Sequence, residues 1–143
     1  MFTLEVPFAS PAYDETVRLR DDILRKPLGL SFTAEDLALE FDSIHLACYD
    51  NHWNLMACLV MVWKGEDLKM RQVAVGEAFQ RRGIGQFLVA ESERVALEYG
   101  APKLVLNARE TAVPFYQKLA YSTDGDRFEE VGIPHFKMYK KLS

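Results

Sequence analysis

The chain lacks any apolar run long enough to cross a bilayer, and it has no surplus of basic residues. Its longest apolar stretch, Leu55 to Trp63, falls well short of the ~20 residues a spanning helix needs. Lys and Arg number 17 against 21 Asp and Glu, a net charge of −4. Nothing therefore draws the chain as a whole to nucleic acid or to an anionic membrane. Cysteine is scarce: Cys48 and Cys58 lie in or beside apolar runs, without the spacing of a zinc site or a CxxC pair. They read as buried free thiols, able to pair only if neighbouring strands bring them together. No metal site is read. Met1 to Pro7 has no basic segment followed by an apolar one, so it does not read as a signal peptide, and the cytoplasm is the expected location. Repeats, linkers and low-complexity tracts are missing too.

What is present is ordinary globular material, 143 residues of which 49% are hydrophobic. Residues 1–143 are expected to form one domain that buries a core without disulfides or metals. Phe2 to Phe8 alternates as a strand. Ser10-Pro11 opens a helix with a capping hydroxyl and proline at the first position, and Val17 and Leu24 continue its apolar side from Tyr13. Pro27 and Gly29 end it. Thr33, with Asp36 three residues on, caps a second short helix. Ile44 to Tyr49 and Leu55 to Trp63 read as a hairpin around Asp50-Asn51-His52. The second strand is apolar on both faces, as in a central strand covered on both sides. Leu68 to Val75 extends the meander.

After Val75 the pattern changes. Gly76 to Gly85 is a polar loop rich in Gly and Arg, and an amphipathic helix runs from Ile84 until Gly100 stops it. Leu104 to Leu106 is a short buried strand, Thr111 to Leu119 a last helix, and Tyr121 to Arg127 with His135 to Leu142 complete the sheet. A strand, loop, helix and strand in that order form a crossover unit, so Val73 and Val105 belong to parallel strands.

The loop carries the chemistry. Gly83 and Gly85 allow close backbone approach and aim successive N–H groups at a ligand. The helix start adds unpaired N–H groups and partial positive charge, and Arg81 and Arg82 add cations. The alternative is a plain turn into a helix; the combination favours a phosphate or pyrophosphate. No GxxxxGK[ST] string exists, and Leu88 stands where a dinucleotide fingerprint has its third glycine.

Gln-x-x-Gly-x-Gly after a strand ending in Val-x-Val, with Gln80, Gly83 and Gly85, resembles the pyrophosphate loop of the GCN5-related N-acetyltransferases (GNAT). Asn107-Ala108 after the next strand, Phe115-Tyr116 in the following helix, and the order of elements extend the resemblance over almost the whole chain. The tail Gly132-Ile-Pro-His135-Phe-Lys-Met138 is similar to that of small ElaA-like members. The resemblance implies an α/β (α+β) fold: a mixed, mostly antiparallel central sheet of six to seven strands, about four flanking helices, and a splay between strands four and five. It implies acetyl-CoA as cosubstrate and no metal. Val73 and Val75 would bond the pantetheine arm through their main chains. Arg81, Arg82, Gly83, Ile84, Gly85 and Gln86 would hold the pyrophosphate through N–H groups. Asn107 would bond the pantetheine or nearby backbone, and Tyr116 would present its hydroxyl to the thioester sulfur as the catalytic residue.

Each has a blander reading: Tyr116 as a core tyrosine, Asn107 as a cap on a strand end. The family's frequent carboxylate on the strand before the loop is absent from Lys69-Met70-Arg71-Gln72. His45, Glu110, Glu130 and His135 remain as candidate bases, with water-mediated deprotonation as the default. The acceptor is a small-molecule or peptide amine; the alternative function is a non-catalytic acyl-CoA-binding module or sensor. Family members often dimerise, so a homodimer is open. The acceptor-facing segments, Leu24 to Phe41 and Thr123 to Pro134, contain Phe32, Phe41 and Phe128 among Asp36, Glu40, Asp42, Glu129 and Glu130. That composition suggests an apolar floor with acidic rims, suited to an aliphatic cation.

Overall fold

In the computed structural model, which describes all of residues 1–143, the apolar hairpin read from the sequence lies near the middle of a mixed sheet. Every residue of β2 (Ile44–Tyr49) is buried, as is most of β3 (Leu55–Lys64). The remaining strands are β1 (Phe2–Glu5), β4 (Asp67–Val75), β5 (Lys103–Arg109), β6 (Ser122–Thr123), β7 (Phe128–Glu130) and β8 (Ile133–Lys141). Their order is β1-β2-β3-β4-β5-β8-β6, with β7 pairing β8. All pairs are antiparallel except β4 with β5. Four α-helices flank the sheet: α1 (Pro11–Arg20), α2 (Ala34–Ala38), α3 (Ile84–Glu98) and α4 (Val113–Lys118). No helix is long and apolar enough to cross a membrane.

The caps behave as their chemistry dictates. Ser10 accepts from the Tyr13 N–H, with Pro11 at the first position of α1, and Thr33 and Asp36 form a reciprocal capping box on α2. Leu59, Met61, Leu68, Met70, Leu104 and Leu106 pack with Leu88 and Val89 of α3 into the main core. The face of α1 differs from expectation. Its buried residues are Tyr13, Thr16 and Arg20, a helical stripe that is mostly polar, while Val17 is only half-buried. The chain then runs through a π-helical turn, Asp21–Arg25, before Gly29 ends it. Cys48 and Cys58 are buried and free. They sit on paired strands but face opposite sides, since Cys48 lies across from Ala57 and Cys58 from Ala47.

Two features shape the site. First, β4 and β5 pair only at Leu68↔Leu104, Lys69↔Val105 and Met70↔Leu106; beyond that the strands part. A bulge accompanies the parting. Cys58 pairs with Ala74 and Val60 with Arg71, so β4 carries one extra residue, and Gln72 takes a φ of 53°. An extra residue bends its strand and re-aims the side chains beyond it. Second, the segment read as one strand from Tyr121 to Arg127 is interrupted, and β7 forms a separate hairpin with β8. Val131 and Gly132 have φ of 47° and 73°, which gives the two left-handed residues of a tight hairpin turn. A β-branched residue rarely adopts this conformation, so Val131-Gly132 does not announce a turn as Asn-Gly would.

Candidate active site

The diverging ends of β4 and β5 open into a cleft of about 410 Å³. Its walls are Arg71, Gln72 and Val73 of β4, Asn107 and Arg109 of β5, and Tyr116 of α4. Leu24, Leu28 and Leu30, from the segment after α1, close one side; Glu130, Val131 and His135 of the β7–β8 hairpin close another.

The bulge is held from below. Arg20, fully buried, donates through Nη1 to Gln72 Oε1 at 2.9 Å. The same guanidinium grips both carboxylate oxygens of Glu40 at 2.8 Å, and the Tyr13 hydroxyl donates to Glu40 Oε1 at 2.7 Å. Burial alone would raise the Glu40 carboxyl, but the hydrogen bonds from Arg20 and Tyr13 and the Arg20 charge outweigh it and hold it below the usual range. His45 lies against this network, donating from Nε2 to the Glu40 carbonyl at 3.0 Å. Burial pushes its imidazole down toward the neutral form, and Nδ1 has no partner.

The loop lies beside the cleft and does not line it, joined to it through Val75 at the end of β4 and Phe115 next to Tyr116. Gln80 donates from Nε2 to the Val75 carbonyl at 3.0 Å, tying loop to strand. Arg81 has a φ of 64° and Gly83 a φ of 78°. The first helical bond of α3 runs from Phe87 N–H to the Gly83 carbonyl, and no side chain caps the helix. The N–H groups from Arg81 through Gln86 therefore have no protein partner. Such a row of free donors at the start of a 15-residue helix can hold an anion. Ile84 itself is buried, so it can offer only its N–H. Gly85 leaves room: a Cβ there would sit 3.6 Å from the Phe115 ring and 3.7 Å from Val75.

Tyr116 stands in the opposite wall, buried and packed edge-on against Phe115 and Tyr121. Its hydroxyl makes no hydrogen bond to the protein, and burial pushes its pKa up to about 12. The phenol is thus a committed donor at neutral pH. Asn107 also lines the cleft, with Nδ2 3.4 Å from Glu130 Oε1.

Of the four candidate bases, two reach the cleft. His45 is buried under α1, and Glu110 pairs with Arg127 at 3.1 Å on the surface. His135 and Glu130 line the cleft. His135 Nδ1 lies 2.7 Å from the Ile133 carbonyl, which can only accept, so Nδ1 carries a proton and Nε2 is left for chemistry. Nε2 is 3.4 Å from Glu130 Oε2.

The model of the Acetyltransferase (GNAT) domain family matches residues 45–142. The chain belongs to the GNAT acetyltransferase family. YjcF of Bacillus subtilis strain 168, called an uncharacterized N-acetyltransferase, is 30% identical over 125 residues, 85% of this chain and 87% of that one. GNAT structures share the fold. Escherichia coli ElaA superposes with a TM-score of 0.80 at 19% identity, over 98% of this chain and 99% of its own. An aminoglycoside 6'-N-acetyltransferase complexed with coenzyme A gives 0.80 at 18% identity, over 100% and 98%.

The acidic rim expected around a GNAT acceptor site is not there. Asp36 caps α2 and Glu40 is taken by Arg20; Asp42 and Glu129 do not line the cleft. Its charged residues are Arg25, Lys69, Arg71 and Arg109 against Glu130 alone. Phe32 packs between Arg20 and Arg25, and Phe128 stacks on His135. Sequence reasoning missed Arg20 and the Gln72 bulge. The signal was the Tyr13, Thr16, Arg20 spacing, which marks a helix face even when the residues on it are polar.

Proposed function

We propose that residues 1–143 form a single transferase domain that moves the acetyl group of acetyl-CoA to a primary amine by direct attack. The observation that carries this reading is a row of N–H donors without a protein partner, set beside Val75 and Phe115, next to a cleft that Tyr116 and His135 both line. The N–H groups of Arg81, Arg82, Gly83, Ile84, Gly85 and Gln86 take the pyrophosphate. Val73 and Val75 bond the pantetheine arm through their main chains, and Asn107 supports it from β5. Gln80 holds the loop against Val75.

The amine must first lose a proton. An alkyl ammonium with a pKa near 10.4 leaves about one molecule in a few thousand nucleophilic at pH 7. His135 Nε2 takes that proton, and Glu130 stabilises the imidazolium that results. The nitrogen lone pair then adds to the thioester carbon, and a backbone N–H near Val75 polarises the carbonyl oxygen. The C–S bond breaks, the sulfur leaves as thiolate, and the second amine proton, lost as the amide forms, passes to that thiolate through solvent to give the free thiol. Tyr116 stabilises that thiolate by a hydrogen bond and does not surrender its proton. A phenol near 12 facing a thiol of about 8.5 makes full transfer uphill by roughly 5 kcal/mol. Together, Tyr116 and His135 favour the enzyme over a binding module, since a module needs neither.

The test is thiol release from acetyl-CoA with an amine panel. Amine-dependent release, lowered roughly 10- to 1,000-fold in kcat by Tyr116→Phe, is expected. An unchanged kcat in Tyr116→Phe removes Tyr116 from the mechanism.

A further inference from the structure

The cleft carries more positive charge than its one carboxylate, Glu130, offsets. Arg25, Lys69, Arg71 and Arg109 line it, and none of the four has a salt-bridge partner. Burial first, then Arg71 and Lys64, push the Lys69 ammonium down, with Glu130 opposing them. The band continues along the sheet, where Lys64, Lys69, Lys103 and Lys137 surround an adjoining hollow of about 410 Å³ with Asp67 as its one carboxylate.

Strand register separates these cations from the pyrophosphate loop. Lys69 lies opposite Val62 and Arg71 opposite Val60; Val60 lies opposite His45, whose ring packs edge-on against Tyr13 of α1. Cross-strand partners share a face, so Lys69 and Arg71 lie on the α1 face. Lys69 pairs with Val105 on β5, which puts Asn107 and Arg109 on that face too. Leu68 and Met70 point the other way, into the core with Ile84 and Leu88 of α3. The phosphate loop begins α3. The loop thus belongs to the α3 side of the sheet, and Lys69, Arg71 and Arg109 face the α1 side, from which the amine is taken to enter.

We propose that the acceptor amine also carries an anionic group, a carboxylate or a phosphate, which docks on Lys69, Arg71 and Arg109 while its ammonium faces Glu130 and His135. Leu24, Leu28, Leu30 and Val131 supply an apolar wall for the link between the two ends. A cleft lined by one sign of charge with apolar walls concentrates ligands of the opposite sign. A polyamine would be repelled by the same residues. This inference rests on the transferase reading above and narrows its acceptor.

The experiment compares kcat/KM for matched pairs: leucine against leucinamide, β-alanine against propylamine, and ethanolamine phosphate against ethanolamine. The anionic member of at least one pair is expected to be preferred by about 10-fold or more, the worth of one charge-assisted hydrogen bond. The responding pair tells carboxylate from phosphate. The preference is expected to shrink as salt rises, and to collapse in Lys69→Gln combined with Arg71→Gln through a raised KM. Equal use of both members, or preference for the neutral one, overturns the proposal. If no pair reacts, the N-acetylated forms of the same compounds are titrated against the CoA-bound protein by thermal shift. Stabilisation by the anionic products alone supports the proposal, and no difference overturns it. A protein that fails to bind CoA at all overturns the transferase reading itself, a separate result.

Discussion

Replacing Arg20 with methionine tests the link between the polar face of α1 and the cleft. The substitution keeps most of the side-chain volume and removes the charge. It leaves the Glu40 carboxylate, whose side chain is only 12% exposed, without its cation, and Gln72 Oε1 without its donor. Breaking a buried pair by removing one partner costs about 3–5 kcal/mol, because the remaining charge is stranded. For a chain of this size each kcal/mol moves Tm by roughly 3 °C, so Arg20→Met should melt about 10–15 °C lower. The pH dependence has a definite sign. Glu40 is held below the usual carboxylate range in the native protein, so its contribution is complete above the unfolded value of about 4.3 and is lost as pH falls through the folded value. Removing Arg20 takes away what held Glu40 down. The penalty of Arg20→Met should therefore be largest near neutrality and shrink as pH falls, starting above about 4.3 where burial now makes the stranded carboxyl take up a proton, and continuing below it as wild-type Glu40 is protonated. Adding Glu40→Met should recover more than half of the lost stability, since an apolar pair needs no compensation. The bulge should also relax, raising KM for acetyl-CoA while the fold persists. Thermal melts at neutral and acid pH, with steady-state kinetics, read all of this. A Tm within about 3 °C of wild type at pH 7 would refute the reasoning.

Other expectations rest on single observations. Gly83→Val places a β-branched residue at a φ of 78°, which costs roughly 1–2 kcal/mol and should weaken CoA binding in a calorimetric titration, although no atom obstructs the new side chain. His135→Gln should lower kcat by roughly 100-fold or more while CoA affinity holds, and the deficit should be smaller for amines of low basicity that need no base. The Cys58 thiol is pushed up to about 12 by burial, and Cys48 is also buried and raised. Neither should react with a disulfide reagent in the native protein at pH 8, and both should react at once in denaturant.

The loop and helix from Gly76 to Gly100 were legible because each part has a local cause: glycines where the backbone turns left-handed, a free helix start, an apolar stripe on one face. The β2–β3 hairpin was equally plain from its apolar strands and polar turn. Other parts depend on contacts the sequence does not display. Arg20 is buried because Glu40, 20 positions away, and Gln72, 52 away, meet it, and no local pattern announces such a triad. The β7 hairpin hides behind Val131, whose conformation is set by its surroundings against its own preference. The candidate bases could not be ranked from spacing; strand register separates them, carrying His135 into the cleft opposite Arg109 and leaving His45 beneath α1. The acceptor-side acids misled because composition cannot tell a carboxylate that faces a ligand from one consumed by a cap or a buried arginine.

The central claim is tested most directly by mass analysis of both products after incubation with acetyl-CoA and an amino-acid and amine panel. The account expects equal amounts of free CoA and one N-acetylated amine, with both signals reduced together in Tyr116→Phe. CoA released without any acetylated amine, or an acetyl group left covalently on the protein, would contradict direct transfer through this cleft.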